Sequence, residues 1–527
     1  MKLNSIWIVT TGSRGDVQPY VAVATSLKQR GYSIRFFTNE NHVSLPESFG
    51  VSTTAICPDI QDVLGTTIEE NQFLRGMATA NMNDLTEGVK LLNVKCAPYI
   101  RDKLQSLLEQ EEKQQQQQQG LPQLPDLVVV NILSLGVAWY LALKHNIPYY
   151  ELNCSENTFN PKYASGGLPT PPFQLHYYFM KYLIPIFKRD LNMPILEALD
   201  STLASQFKND APMEDALNPA LPRGCMISPE IANVLHPQAS PKITFVGCTT
   251  VSVKPNEELV HMEDFGGSGG GTETYEKLER FLKQDSKKKP IYIGWGSMLC
   301  KSSEYMVELC VRTIYHCKQR AIVLGGMAKL SEDLLFQKKK NEGDDGGTTC
   351  MMDLDPEILE YAKSNMLFVT TAVSHEWLFP KCSVIVHHGG AGTTTAAIRS
   401  GIPTIITPLI TDQFDYAYAT NQLGVGVGMK QLHTITYQEL GDTILRVLQD
   451  DTMARKAAEL GTIVRRENGA EKAADAIEAY WNEYGGSEGK FRQVWPGTKP
   501  PSWWKKFLIS CGLCTTTTTT TNKANWL

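Results

Sequence analysis

The stretch "VIVHHGGAGTTTAAIRSGIPTIITPLITDQ", residues 384–413, decides how this chain is read. An apolar, β-branched run, Val384 to Val386, leads into His387-His388, a glycine-rich turn, and a helix expected to begin near Thr393. Glycines 389, 390 and 392 let the backbone approach a ligand closely. The amides of Gly392, Thr393 and Thr394 are expected to point at that ligand, with the positive end of the helix dipole behind them. Such a turn suits a diphosphate; for a glycine-rich turn met alone, tight helix–sheet packing is the alternative. A second strand, 404–407, ends at Pro408 and brings Asp412-Gln413 to the same rim, because ligands of doubly wound sheets collect at the strands' carboxyl ends. An Asp-Gln pair there supplies acceptors and a donor suited to sugar hydroxyls.

Working outward, apolar runs alternate with amphipathic stretches almost from end to end. Strands are expected at 5–9, 33–38, 126–132 and 147–152 in the first half, and at 290–296, 321–326, 366–370, 383–388 and 403–408 in the second. Val21 to Arg30 has helical spacing and stops at Gly31, a C′ glycine. This alternation predicts an α/β chain of two Rossmann-like domains facing each other across a cleft. The expected layout is a first domain over 1–248, a flexible linker over 249–288, a second domain over 289–470, a crossing helix over 471–490 and a tail over 491–527. Low-complexity segments read as loops or linkers: the glutamines 114–119, "FGGSGGGTET" (265–274), "NEGDDGG" (341–347) and the threonines 515–521.

Composition agrees with that scale. The 527 residues exceed one ordinary core, and 42% hydrophobic with 20% charged residues is a globular balance. A net charge of −6 carries no basic field for nucleic acid. No apolar run approaches the roughly 18–20 residues needed to cross a bilayer, and "SIWIV" is too short for the core of a leader. The 12 cysteines are scattered, with Cys511 and Cys514 the one C-x-x-C. These features lead us to expect a cytoplasmic protein with reduced thiols.

The first loop, "TTGSRGDVQP" (10–19), poses the sharper question. It follows a strand as a phosphate cradle would, yet it lacks G-x-G-x-x-G and carries Asp16. A carboxylate 4 Å from a pyrophosphate charge costs about 4 kcal/mol at an effective dielectric near 20, so the dinucleotide oxidoreductase reading fails.

These two stretches together resemble the GT-B nucleotide-sugar glycosyltransferases, and within them the sterol 3-beta-glucosyltransferases and bacterial antibiotic glycosyltransferases. The resemblance rests on His387 to Thr394 followed by Asp412-Gln413, and on Gly12 to Pro19. It implies a UDP-sugar donor, glucose being the hexose expected, and an apolar hydroxyl-bearing acceptor such as a sterol. It also implies inversion at the anomeric carbon and no metal or other cofactor. By the resemblance Asp16 is the catalytic base, with Ser13 and Arg14 near the donor. Ser297, His388, Ala391, Gly392 and Thr393 lie along the diphosphate, Val373 and His375 meet the nucleoside, and Asp412 and Gln413 hold the sugar. Asn131 stands where plant relatives have an Asp that relays charge to a histidine base.

Several residues have plainer readings. His387 is expected to be a hydrogen-bonded core histidine and Trp377 a packed one. The His387-His388 pair is not expected to bind metal, since neighbours at a strand end diverge and no further ligand follows. Asp355, in "DLDP", reads as a helix cap before Pro356. After 147–152, where sterol members carry a Trp-containing segment, this chain reads "ELNCSENTFNPKYASGGLPTPPF". The aromatic run 175–187 is expected to pack in the core, or to line the acceptor pocket or touch a membrane. The tail 500–514 pairs Trp503-Trp504 with lysines and two cysteines, a pattern for a membrane surface or for packing on the first domain. The accessory domains that precede the catalytic part of fungal relatives are not expected here. A soluble aglycone as acceptor, and a non-catalytic nucleotide-sugar or lipid binder, are the competing functions; Asp16 argues against the second.

Overall fold

The protein is described from a computed structural model covering residues 2–64, 75–76, 82–117, 124–156, 160–163, 176–210, 218–250, 271–285, 288–335, 354–371, 373–486 and 489–495. The first sheet contains β1 (Ser5–Val9), β2 (Ser33–Asn39), β3 (Ser52–Cys57), β4 (Leu127–Val130), β5 (Tyr149–Asn153), β6 (Arg223–Cys225) and β7 (Ile243–Phe245). Its order is β3-β2-β1-β4-β5-β6-β7. The second contains β8 (Ile291–Gly294), β9 (Ala321–Leu324), β10 (Met366–Val369), β11 (Val384–His387), β12 (Thr404–Ile406) and β13 (Gly426–Gly428), in the order β10-β9-β8-β11-β12-β13. Every pairing is parallel. Ile6 to Val9 and all of β4 are buried, covered on both faces, which is why they read as continuous apolar runs rather than alternating ones. Strand order reverses at β1/β4 and at β8/β11, and the loops beyond those carboxyl ends form the cleft.

The helix Arg14–Gln29 starts inside the stretch read as a loop. The Ser13 amide and hydroxyl both donate to Asp16 Oδ2, each at 2.8 Å, so Asp16 sits at the third helical position and caps the first turn. Pro19 lies within this helix and brings no N–H, which takes from the Gly15 carbonyl its usual helical partner. The Cys154 thiol stands 3.7 Å from that oxygen. Past the helix, Gly31 takes φ +93°, as a C′ glycine should.

The helix Gly271–Gln284 falls within the 249–288 stretch expected as a flexible linker. Its Tyr275, Leu278 and Phe281 are buried against Tyr292, Phe379 and Ile385, so this part belongs to the second domain's core. The amphipathic spacing of those three residues outweighs the glycine-rich approach to the helix. Similarly, the helix Met82–Gln117 runs into the glutamine tract expected as a loop. The segments 251–270, 341–347 and 496–527, which include the glycine linker and the Trp-rich tail, lie outside the described residues.

The two halves are joined by more than their linker. The helix Gly469–Tyr484 crosses back and buries Ala473, Ala474, Ile477, Tyr480 and Trp481 in the first domain's core. Arg30 reaches it with Glu471 at 2.7 Å and Glu478 at 3.0 Å. A shared apolar cluster also sets Cys225, Ile227, Ile231 and Cys248 against Ile398, Ile406, Tyr416 and Val464. At the crossing itself, Glu467 accepts from Ser228 Oγ at 2.5 Å and from the Cys248 amide at 2.9 Å.

Candidate active site

The phosphate turn begins earlier than its sequence suggests. The helix runs Ala391–Ser400 with Gly390 at its N-cap, not from Thr393. The Thr394 amide is spent on Gly390 O at 2.9 Å, so the amides without a helical acceptor are those of Ala391, Gly392 and Thr393. Gly392 is exposed and faces the first domain: a Cβ built on it would lie 3.8 Å from Gly15 Cα. The helix N-terminus and the Asp16 loop are therefore opposite walls of one cleft.

His387 and His388 diverge at the end of β11. The His387 ring is fully buried, and its Nδ1 accepts from the Gly389 amide at 3.0 Å. That is the core histidine expected. His388 is 6% exposed, and no partner for its Nδ1 is present among the described residues. Its ring is wedged between two glycines: a Cβ at Gly296 would lie 3.0 Å from Cε1, and one at Gly390 only 2.4 Å from Nε2. Burial pushes the His388 pKa down to about 4, so the ring is neutral at pH 7 and donates one N–H.

Asp412 is half-buried in the cleft, and the Thr411 hydroxyl donates to its Oδ1 at 3.0 Å. Thr411 adopts φ +47°, a left-handed conformation that a β-branched residue adopts only under constraint. Enclosure by the cleft walls, with Asp415 and Asp16 adding repulsion, pushes the Asp412 pKa up to about 7. Gln413, expected beside it on the sugar, is turned inward. It is 3% exposed, accepts from the Leu409 and Ile410 amides at 2.8 and 3.1 Å, and donates to Met298 Sδ at 3.1 Å. Its amide shapes the 408–412 turn that presents Asp412.

On the nucleoside side, Val373 is buried and His375 opens the short helix His375–Leu378. His375 stacks on Phe379 with centroids 4.5 Å apart and shares a hydrogen bond with the Tyr292 hydroxyl at 3.2 Å. Burial, followed by the charges of Arg14 and His388, pushes its pKa down to about 3. Arg14 Nε donates to Gln18 at 3.1 Å, and burial brings its own pKa down to about 10. Trp377 packs edge-on against Tyr275 at 4.8 Å, with Lys381 Nζ 3.9 Å over its ring. Ser297, half-buried, lies in the turn after β8, where Gly296 at φ +56° gives the chain its bend.

On the first wall, Asp16 is half-buried, and enclosure raises its pKa while the Ser13 bonds pull the other way. Asn131, 4% exposed, holds the loop in place: Nδ2 donates to Thr11 O at 2.8 Å and Oδ1 accepts from the Ser134 amide at 3.1 Å. Asp16 and Asn131 open onto a cavity, partly open to solvent, that is also lined by Lys188 and Arg223. Ile184 and Pro185, from the aromatic run 175–187, line the same cavity. Cys154, beside Gly15, escaped the sequence reading, as did Tyr416, whose hydroxyl donates to Cys154 O at 3.3 Å across the cleft. Nothing in the local pattern separates Tyr416 from an ordinary core tyrosine.

Among the described residues no group of three or more His, Cys, Asp or Glu side chains has the arrangement for a metal ion. Asp355 does precede the helix Pro356–Asn365, but its side chain makes no cap bond; Asp353 lies outside the described residues. No helix among the described residues is long and apolar enough to cross a membrane.

Residues 6–105 match the glycosyltransferase family 28 N-terminal domain, and residues 365–476 the C-terminal domain of the erythromycin biosynthesis protein CIII-like family. A sterol 3-beta-glucosyltransferase of Candida albicans is 26% identical over 479 residues, which is 90% of this chain and 27% of that protein. One from Arabidopsis thaliana is 26% identical over 487 residues, 90% of this chain and 65% of that protein. The chain thus spans only part of the length of these relatives. In fold it is similar to the glycosyltransferase of kitacinnamycin (TM-score 0.55, 15% identity, covering 91% of this chain and 100% of that one). The calicheamicin glycosyltransferase CalG4 is comparable (TM-score 0.53, 14% identity, covering 92% and 99%). Matched by these two domain models near its two ends and aligned over 90% of its length with sterol 3-beta-glucosyltransferases, the chain is similar to them in sequence and to the two-domain GT-B glycosyltransferases in fold.

Proposed function

We propose that the protein transfers a hexose, glucose being the sugar in its relatives' names, from a UDP-sugar to a hydroxyl of a sterol or similar lipid, with inversion. The observation that carries this is the opposition of Asp16 and the N-terminus of the helix Ala391–Ser400 across one cleft. The amides of Ala391, Gly392 and Thr393, with His388, hold the leaving diphosphate and stabilise the charge that develops on it. Asp412 accepts hydroxyls of the sugar, and Gln413 keeps Asp412 in position. Val373 and His375 receive the nucleoside, while Ser13, Arg14 and Ser297 close around the donor.

Asp16 takes the acceptor proton as the hydroxyl oxygen attacks the anomeric carbon. A carboxylate is a weak base for an alcohol, so proton transfer is concerted with attack, and the raised pKa of Asp16 makes it a better base. One displacement converts an α-linked donor into a β-glycoside. The donor phosphates meet the helix dipole and need no metal. Peripheral contact of residues 500–514 with a membrane would bring a lipid acceptor to this cleft; deleting 500–527 and measuring vesicle binding tests it, and unchanged binding refutes it.

The experiment for the central reading is incubation with a set of UDP-sugars and an acceptor panel that includes sterols, read by mass spectrometry. A new β-glycoside is expected, and absence of any transfer product across the panel refutes the reading. A soluble aglycone as the better acceptor is the second outcome to look for, since this chain departs from the sterol pattern after β5.

A further inference from the structure

The cavity that opens at Asp16 is lined mostly by polar side chains, and besides Asp16 four of them are charged: Glu151, Glu156, Lys188 and Arg223. Lys188 Nζ pairs with Glu151 Oε2 at 2.5 Å, their side chains 11% and 9% exposed. Arg223 pairs with Glu156 at 2.8 Å, both side chains 6% exposed. Asn153 Nδ2 donates to the other Glu151 oxygen at 2.8 Å. Lys188 and Arg223 both hold the Glu151 carboxyl below the usual range despite its burial. Glu151 lies on β5, Arg223 on β6 and Lys188 in the helix His176–Leu199, while Glu156 follows just past β5.

Buried ion pairs cost desolvation that apolar packing of the same volume would avoid, so stability alone does not favour them here. They line the cavity, so polar and charged groups rather than apolar ones face whatever enters. An acceptor with a wholly apolar body would strip water from these groups and return nothing, whereas one with a second polar group would satisfy them.

We propose that Glu151, Lys188, Arg223 and Glu156 form an acceptor subsite. It selects acceptors that carry, besides the hydroxyl presented to Asp16, a second hydroxyl or carbonyl group. On this view the preferred substrate is a polyhydroxylated or oxo-bearing lipid rather than a sterol whose reacting hydroxyl is its one polar group. The inference rests on the proposed transferase function and narrows its acceptor class.

The test compares kcat/KM of the full chain for two sterols, one with a single hydroxyl and one with a further hydroxyl on the ring system or side chain. The further hydroxyl should raise kcat/KM at least tenfold. A wild-type protein that uses the single-hydroxyl sterol equally well or better overturns the subsite while leaving the transferase reading intact. Transfer to neither compound, nor to the wider panel, overturns both. The double variant Glu151→Gln, Lys188→Met is then measured alongside Lys188→Arg, which keeps the charge. The double variant should bring the two sterols' kcat/KM ratio to within about twofold of unity, and Lys188→Arg should preserve the wild-type ratio. Equal losses on both acceptors in the double variant would mark the pairs as structural and overturn the proposal.

Discussion

Replacing Asp16 by Asn and by Ala separates two tasks that one side chain performs. Its Oδ2 accepts from the Ser13 amide and hydroxyl, both at 2.8 Å, and so caps the helix that carries it. Asn keeps an oxygen in that place and exchanges charge-assisted bonds for neutral ones, a loss of about 1 kcal/mol. Relief of a charge enclosed in the cleft and facing Asp412 offsets part of that. Ala removes the cap outright, at about 1–2 kcal/mol. General-base catalysis is worth roughly 10²–10⁴ in rate. Asp16→Asn should therefore fold within about 1 kcal/mol of wild type, bind UDP with little change by calorimetry, and lose at least about 100-fold in kcat. Asp16→Ala should add measurable destabilisation in urea unfolding to a similar loss of rate. The wild-type kcat/KM should fall as pH drops through the Asp16 pKa, raised above the ordinary carboxylate range, because the anion is the active form; that acid limb should vanish in Asp16→Asn. Turnover above about a tenth of wild type in Asp16→Asn, or a rate loss that tracks destabilisation across both variants, would refute the assignment.

Three further outcomes are expected. With a folded pKa near 7 against an ordinary 3.8, Asp412 binds more protons folded than unfolded, so donor-free stability should fall as pH rises from about 4 to 7. The contribution is at most about 4 kcal/mol, and Asp412→Asn should flatten the thermal midpoint across that window. Gly390→Ala puts a methyl 2.4 Å from His388 Nε2 and should weaken UDP binding about tenfold or more, whereas Gly392→Ala meets Gly15 at an ordinary 3.8 Å and should cost far less. Equal effects in calorimetric titration would count against the His388 role. Glu467→Ala leaves the Cys248 amide and Ser228 hydroxyl without their acceptor at the domain crossing and should cost about 1–3 kcal/mol in urea unfolding.

Local sequence determined a great deal here. Strands buried on both faces must be apolar throughout, so β1, β4 and β11 stood out as short continuous runs, and their order along the chain implied two parallel sheets. Glycines were legible for a related reason. Gly31 takes the positive φ of a C′ glycine, a constraint that one residue type meets, whereas the space that Gly296 and Gly390 leave for the His388 ring shows only in the fold.

What the local pattern did not hold was direction and partnership. Gln413 and Asp412 are adjacent and equally polar, yet one turns inward to the 408–412 turn and the other faces the cleft, because the helix Gln413–Leu423 fixes where each side chain points. Asp16 looked like a loop acid and is also a helix cap, since the bond that makes it one depends on the fold of Ser13. The charged lining of the cavity beside Asp16 was invisible in sequence: Glu151, Lys188 and Arg223 are far apart in the chain and meet only where β5, β6 and the helix His176–Leu199 pack together. Short-range sterics and burial wrote the strands, turns and glycines into the sequence; the tertiary structure alone decided which side chains share a wall of the cleft, because that depends on contacts between elements distant along the chain.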